Sequence, residues 1–111
     1  MTDHPAVSSV GDLGPELLAQ AREHASRRAA RTLVSGSSQR VTLIALTEGA
    51  ELAEHDSPPA ATLHVITGKV RLHTHDDEWV LENGQLAVIP PQRHGLTALA
   101  DAVVLLTVAL R

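Results

Sequence analysis

Residues 60–75, AATLHVITGKVRLHTH, decide the fold, because two runs of alternating apolar and polar residues flank a single glycine, Gly68. Alternation with a period of two is typical of β-strands that bury one face. It predicts strands over Ala60 to Thr67 and Lys69 to His75. The core side of these two strands is predicted to hold Ala61, Leu63, Val65, Val70, Leu72 and Thr74.

Similar short runs lie on both sides of this pair and are separated by turn-forming residues such as Gly, Pro, Asn and Asp. The runs are Arg31 to Val34, Arg40 to Thr47, Glu78 to Leu81, Gln85 to Ile89, Leu96 to Ala100 and Ala102 to Leu110. About eight short strands with no helix between them predict an all-β domain of two packed antiparallel sheets, with a jelly roll as the leading arrangement.

The chain of 111 residues is long enough for one hydrophobic core, which predicts a single domain. Residues 1–12 lack periodicity and are expected to form a flexible tail, with the domain occupying 13–111. Gly14-Pro15-Glu16, followed by apolar residues at helical spacing, predicts one short N-terminal helix over Pro15 to Ser26. The β-barrel is then expected over 31–111.

The composition excludes several classes of function. There is no cysteine, Trp79 is the single aromatic residue among Phe, Trp and Tyr, and the net charge is −4. Thiolate metal sites are therefore excluded, and aromatic stacking of nucleic-acid bases and binding to a polyanion are disfavoured. The uncharged run Ala102 to Leu110 is far shorter than the roughly 20 residues of a membrane span. We expect a cytoplasmic protein that binds neither nucleic acid nor membrane.

Two segments carry a family resemblance. The first is Gly49 to Gly68, GAELAEHDSPPAATLHVITG, and it resembles the first cupin motif, G-x5-H-x-H-x3,4-E-x6-G. Both glycines and His55 fall in register without a gap.

The second is Gly84 to His94, GQLAVIPPQRH, which resembles the second cupin motif, G-x5-P-x-G-x2-H-x3-N. Gly84 and Pro90 match, while His94 comes one residue early. The closing run AVVLLTVALR also resembles the end of small stand-alone cupins from actinobacterial, arginine-rich genomes. The resemblance implies a small single-domain cupin with an RmlC-like jelly-roll barrel.

Cupin metal sites usually take two histidines and a carboxylate from the first motif and one histidine from the second. Carried over position by position, this chain has His55, then Ser57 for the second histidine, Ala61 for the glutamate, and His94. Two of the four ligands are retained. The resemblance thus implies a degenerate site at which His55 and His94 hold a divalent transition metal weakly, if one is bound.

Three further histidines have open roles. On an alternating strand, His64 falls opposite to the predicted core side, which indicates an outer face or a dimer contact. His73 and His75 share one side of their strand, again away from the core, next to Asp76 and Asp77. This spacing suits a solvated strand end, or an incidental surface zinc site.

Three functions remain open at this point. The first is a module that binds or senses a small organic ligand in an aliphatic cavity at His55, Ser57, Arg93 and His94. The second is a metal-dependent enzyme of the oxygenase or isomerase type that uses the two histidines with an unorthodox third ligand. The third is a homodimeric interaction module, which is compatible with the first.

Overall fold

The computed structural model describes residues 6–56 and 58–110, which form one helix and nine strands. The bounds are α1 Val10–Glu23, β1 Arg28–Ser35, β2 Gln39–Leu46, β3 Glu51–His55, β4 Ala60–Thr67, β5 Lys69–Thr74, β6 Glu78–Glu82, β7 Leu86–Val88, β8 His94–Ala98 and β9 Ala102–Ala109. The predicted all-β class with one N-terminal helix is confirmed. None of the helical residues in this described part forms a segment long and apolar enough to cross a membrane.

The strands form two antiparallel sheets that pack face to face. One sheet has the order β1-β2-β9-β4-β7 and the other β3-β8-β5-β6, so most neighbours in space are distant in sequence. Such crossing between two sheets is the topology of a jelly roll. The two strands predicted from residues 60–75 end up in different sheets, with Gly68 at the turn between them.

The main core lies between the two sheets and is almost entirely aliphatic. On β4 and β5 the alternation is as predicted, since the residues expected on the core side are buried, except Thr74, which is half-buried, and the residues between them are more exposed. The buried residues of this core are Ile44, Leu46, Ala50, Ala61, Leu63, Val65, Val70, Leu72, Leu81, Ile89, Leu96, Ala98, Ala102 and Val104.

The helix packs on the outer face of the five-stranded sheet and forms a second, smaller core. Leu17 and Ala21 are buried against Leu43, Ala45 and Val103 of the sheet. This helix begins at Val10 and ends at Glu23, so the predicted bounds of Pro15 to Ser26 are wrong. The prediction of a flexible tail over residues 1–12 is also wrong for residues 10–12, because they belong to the helix.

Two physical causes explain the shift of the helix. Val10 and Leu13 also pack on the sheet, and this apolar contact extends the helix through Pro15, which lies inside it. At the other end the backbone is already extended at His24, with a ψ of 145°, and the guanidinium of Arg27 donates to the carbonyl of Arg22 at 2.7 Å. That bond satisfies one of the free carbonyls of the last turn.

The sequence analysis missed one strand of the four-stranded sheet and placed the start of another two residues too late. Strand β3, Glu51–His55, was not predicted, because ELAEH offers a single large apolar residue and is otherwise polar. Strand β8 begins at His94 and not at Leu96. The omission matters for function, since these two neighbouring strands carry the two histidines of interest.

Candidate functional site

A bulge in β3 brings His55 and His94 together. Glu51 and Leu52 pair regularly with β8, then the register shifts, and His55 pairs directly with His94. A bulge adds one residue to one strand and so inverts the alternation of its side chains. As a result Leu52 and His55, three positions apart, both line the same cavity inside the barrel. The two imidazole centroids lie 4.5 Å apart, with ring planes at 63°.

Backbone carbonyls fix the protonation pattern of the two rings. His55 Nδ1 donates to the carbonyl of Ala53 and His94 Nδ1 donates to the carbonyl of Gln92, each at 3.0 Å. Because a carbonyl can only accept, Nδ1 carries the proton, and the neutral ring then has a free lone pair on Nε2. His94 is only 5% exposed, whereas His55 is exposed at the edge of the barrel. The site therefore offers two hydrogen-bond acceptors.

The cavity at this histidine pair is small. Its volume is about 30 Å³, and apart from the two rings and Gly95 it is lined by Ile44, Leu52, Leu63, Leu72, Ile89, Leu96 and Leu106. This space holds about one or two water molecules. An organic molecule can place only its end group here, between aliphatic walls.

A larger open groove adjoins the cavity at Ile89, which lines both. The groove has a volume of about 510 Å³, within the range of small-molecule sites, and its walls are mainly apolar. It is lined by Ser38, Gln39, Pro58, Pro59, Ala60, Ala61, Thr62, Val88, Ile89, Pro91, Thr107, Val108 and Ala109. None of these residues is aromatic, so an occupant makes aliphatic contacts and no stacking contacts.

Solved structures share this architecture. A conserved protein of unknown function from Streptococcus pyogenes is 23% identical, with a TM-score of 0.76 over 99% of this chain and 91% of its own. An RmlC-like cupin from Desulfovibrio desulfuricans is 20% identical, with a TM-score of 0.71 over 99% and 97%. A cupin superfamily protein from Desulfitobacterium hafniense is 12% identical, with a TM-score of 0.71 over 76% and 78%. No protein-family model and no curated protein matches the chain.

The fold is that of a cupin. The identities of 12% to 23% establish the architecture and carry no activity over from these proteins. The resemblance seen in the two sequence motifs is thus confirmed at the level of the fold, and the cupin barrel supplies the frame in which His55 and His94 meet.

The described residues do not fit the metal of a cupin site. No group of three or more His, Cys, Asp or Glu side chains lies close enough to hold a metal ion in residues 6–56 and 58–110. Ala61, at the position of the family's glutamate, is buried and has only a methyl group. Ser57 lies outside the described residues. Two imidazoles without a carboxylate fall short of the three protein ligands of an ordinary transition-metal site.

Arg93, predicted beside the histidines as a ligand-binding residue, is absent from the cavity lining. Its guanidinium donates to the carbonyl of Glu54 at 2.9 Å and lies 3.9 Å from the Glu54 carboxylate and 3.5 Å from that of Asp56. The side chain is 59% exposed. The structure thus places Arg93 on the solvent side of the β3–β8 pair and, among the predicted site residues that it describes, brings His55 and His94 together.

His64 and His73 lie outside the barrel interior, as their strand positions predict. His64 is half-buried between the core positions Leu63 and Val65. His73 packs its ring over Gly95 on the outer face of its sheet, with Nδ1 3.8 Å from a carboxylate oxygen of Glu54. The sequence analysis did not predict the β3 bulge that builds the site. The signal that could have pointed to it is Gly95, directly after His94, because a glycine inside a strand often marks a bulge or a close approach of another group.

Proposed function

We propose that this cupin binds a small, mainly apolar organic molecule with a hydroxyl or N–H group, which donates a hydrogen bond to the histidine pair. The observation that carries the proposal is the pair of Nδ1 hydrogen bonds to Ala53 and Gln92, because it leaves Nε2 as the accepting nitrogen of two rings that line an aliphatic cavity. The body of the ligand would occupy the adjoining groove. The protein is then a binding or sensing module.

The chemistry of the walls favours a neutral ligand. A carboxylate would bring a charge into an aliphatic cavity to which the two imidazoles, in the tautomer with the proton on Nδ1, present an acceptor and no donor, and burying an unpaired charge is costly. A hydroxyl group can donate to an imidazole Nε2, so it exchanges its hydrogen bond to water for one to the protein when it is buried. The apolar groove contributes through the area it removes from water, at roughly 25 cal/mol per Å².

The test uses 1-hexanol as a probe with a hydroxyl head and an apolar body. In ¹⁵N-labelled protein, we expect saturable shifts of the imidazole Nε2 signals of His55 and His94 and of the backbone amides of Ala61 and Ile89. The double variant His55→Asn/His94→Asn keeps a donor at the position of each Nδ1 and lacks an acceptor at Nε2. It should bind 1-hexanol roughly tenfold more weakly, since about 1–1.5 kcal/mol of hydrogen bonding is lost.

The matched control is His64→Asn, which changes a histidine outside the cavity and should leave binding unchanged. Absence of saturable shifts in the wild-type protein would overturn the proposal. So would a stoichiometric transition metal that stays bound through dialysis, which would favour the metal-dependent enzyme. The homodimer and the cytoplasmic location remain predictions from the sequence.

A further inference from the structure

Two backbone carbonyls in the β3 bulge accept hydrogen bonds from side chains. The register joins Leu52 to Leu96 and then His55 to His94, so Ala53 and Glu54 lie between two paired positions. The carbonyl of Ala53 accepts from His55 Nδ1 at 3.0 Å. The carbonyl of Glu54 accepts from the guanidinium of Arg93 at 2.9 Å. Side chains thus satisfy both carbonyls of the residues that lie between the paired positions.

Arg93 is well suited to hold this distorted segment. Its planar guanidinium has five donors, so it can bond a carbonyl and still face two carboxylates, here those of Glu54 and Asp56. The two ion pairs are long, at 3.9 and 3.5 Å, and the guanidinium is mostly exposed, which makes them weak. The short bond to the backbone is the contact that fixes geometry.

We infer that Arg93 is a positioning residue for the histidine pair, acting through the bulge carbonyl of Glu54. Without a bulge, strict alternation from Leu52 would turn His55 to the outer face. The Arg93 bond holds the extra residue in place, and so keeps the His55 ring directed at His94. Its effect on ligand affinity rests on the proposed function, whereas its effect on the ring pair does not.

The experiment therefore measures ring geometry and binding separately. In Arg93→Gln, we expect the nuclear Overhauser contact between the His55 and His94 rings to weaken and the Nδ1 proton of His55 to exchange roughly tenfold faster, while His94 Nδ1 is unchanged. The affinity for 1-hexanol should fall roughly fivefold, the value of one ordinary hydrogen bond. Arg93→Lys keeps one donor and should restore part of both effects.

Two variants of the same sheet serve as controls. Arg71→Gln removes another arginine of the outer face, one that faces Glu78 and not β3, and should leave the ring pair unchanged. Glu54→Gln removes the carboxylate and keeps the backbone carbonyl, so it should also leave the ring pair intact. An unchanged ring pair in Arg93→Gln, or an equal loss in Glu54→Gln, would overturn the inference. If only wild-type 1-hexanol binding fails, the proposed function is wrong and the positioning role stands.

Discussion

Gly95→Ala tests how closely His73 and the backbone of β3 pack against Gly95, next to the histidine pair. A Cβ at this position would lie 2.7 Å from His73 Cε1 and 3.1 Å from the carbonyl oxygen of Leu52. Carbon atoms normally pack at about 3.5–4.0 Å, so the His73 ring has to move by about 1 Å. The Leu52 oxygen is backbone next to the bulge and yields less. We expect Gly95→Ala to lower the free energy of unfolding by about 1–3 kcal/mol.

A double-mutant cycle with His73→Ala separates the two contacts. Removing the His73 ring relieves the closer contact, that between the added Cβ and His73 Cε1. The double variant Gly95→Ala/His73→Ala should therefore be more stable, by about 1 kcal/mol or more, than the sum of the two single changes predicts. The measurement is urea unfolding followed by the fluorescence of Trp79, the single tryptophan. Additive changes, with a coupling near zero, would refute the packing of His73 on Gly95.

Two further predictions concern the frame around the site. Gly68 has a φ of 99° and its Cβ would lie 2.6 Å from Ala102 Cα, so Gly68→Ala should cost about 3 kcal/mol or more in urea unfolding. Gly84→Ala, at a φ of 79° with open space around it, should cost only about 1 kcal/mol; equal losses would contradict the role of the contact. The backbone N–H of Glu48, followed by Arg22, lowers the pKa of Asp101. Its ionised carboxylate therefore stabilises the fold above its unfolded pKa, near 4, and this stability is lost as pH falls through the lower folded pKa. Asp101→Asn should cost about 0.5–1 kcal/mol at pH 7 and progressively less as the pH falls below about 4, and a pH-independent difference would contradict this.

Most of the fold follows from local pattern, because alternation and turn residues act over short distances. The runs around Gly68 identified β4 and β5 and the side of each that faces the core. The motif spacing predicted the cupin barrel, which the structural neighbours confirm. The helix start was missed because contacts with the sheet, made by Val10 and Leu13, outweigh the local signal of Pro15.

The candidate site was predictable only in part. Motif register selected His55 and His94, and they do meet. Strand alternation could not show how they meet, because the bulge in β3 breaks the rule on which such reasoning depends. The direction of Arg93 was not predictable either, since its short hydrogen bond goes to a backbone carbonyl, that of Glu54, at the position where the register shifts.

The methyl group of Ala61 bears on what it would take to give this barrel a metal site. A carboxylate at this buried position would be stabilised by a bound cation and would destabilise the fold without one, because an unpaired charge in an aliphatic interior is strongly disfavoured. An imidazole whose Nδ1 bonds a backbone carbonyl, as that of His94 does, tolerates burial without a cation. The chain differs from the donor set of the cupin motifs at two positions, Ser57 and Ala61. Of these two changes, Ala61→Glu is therefore the one that would make the stability of the fold depend on the metal.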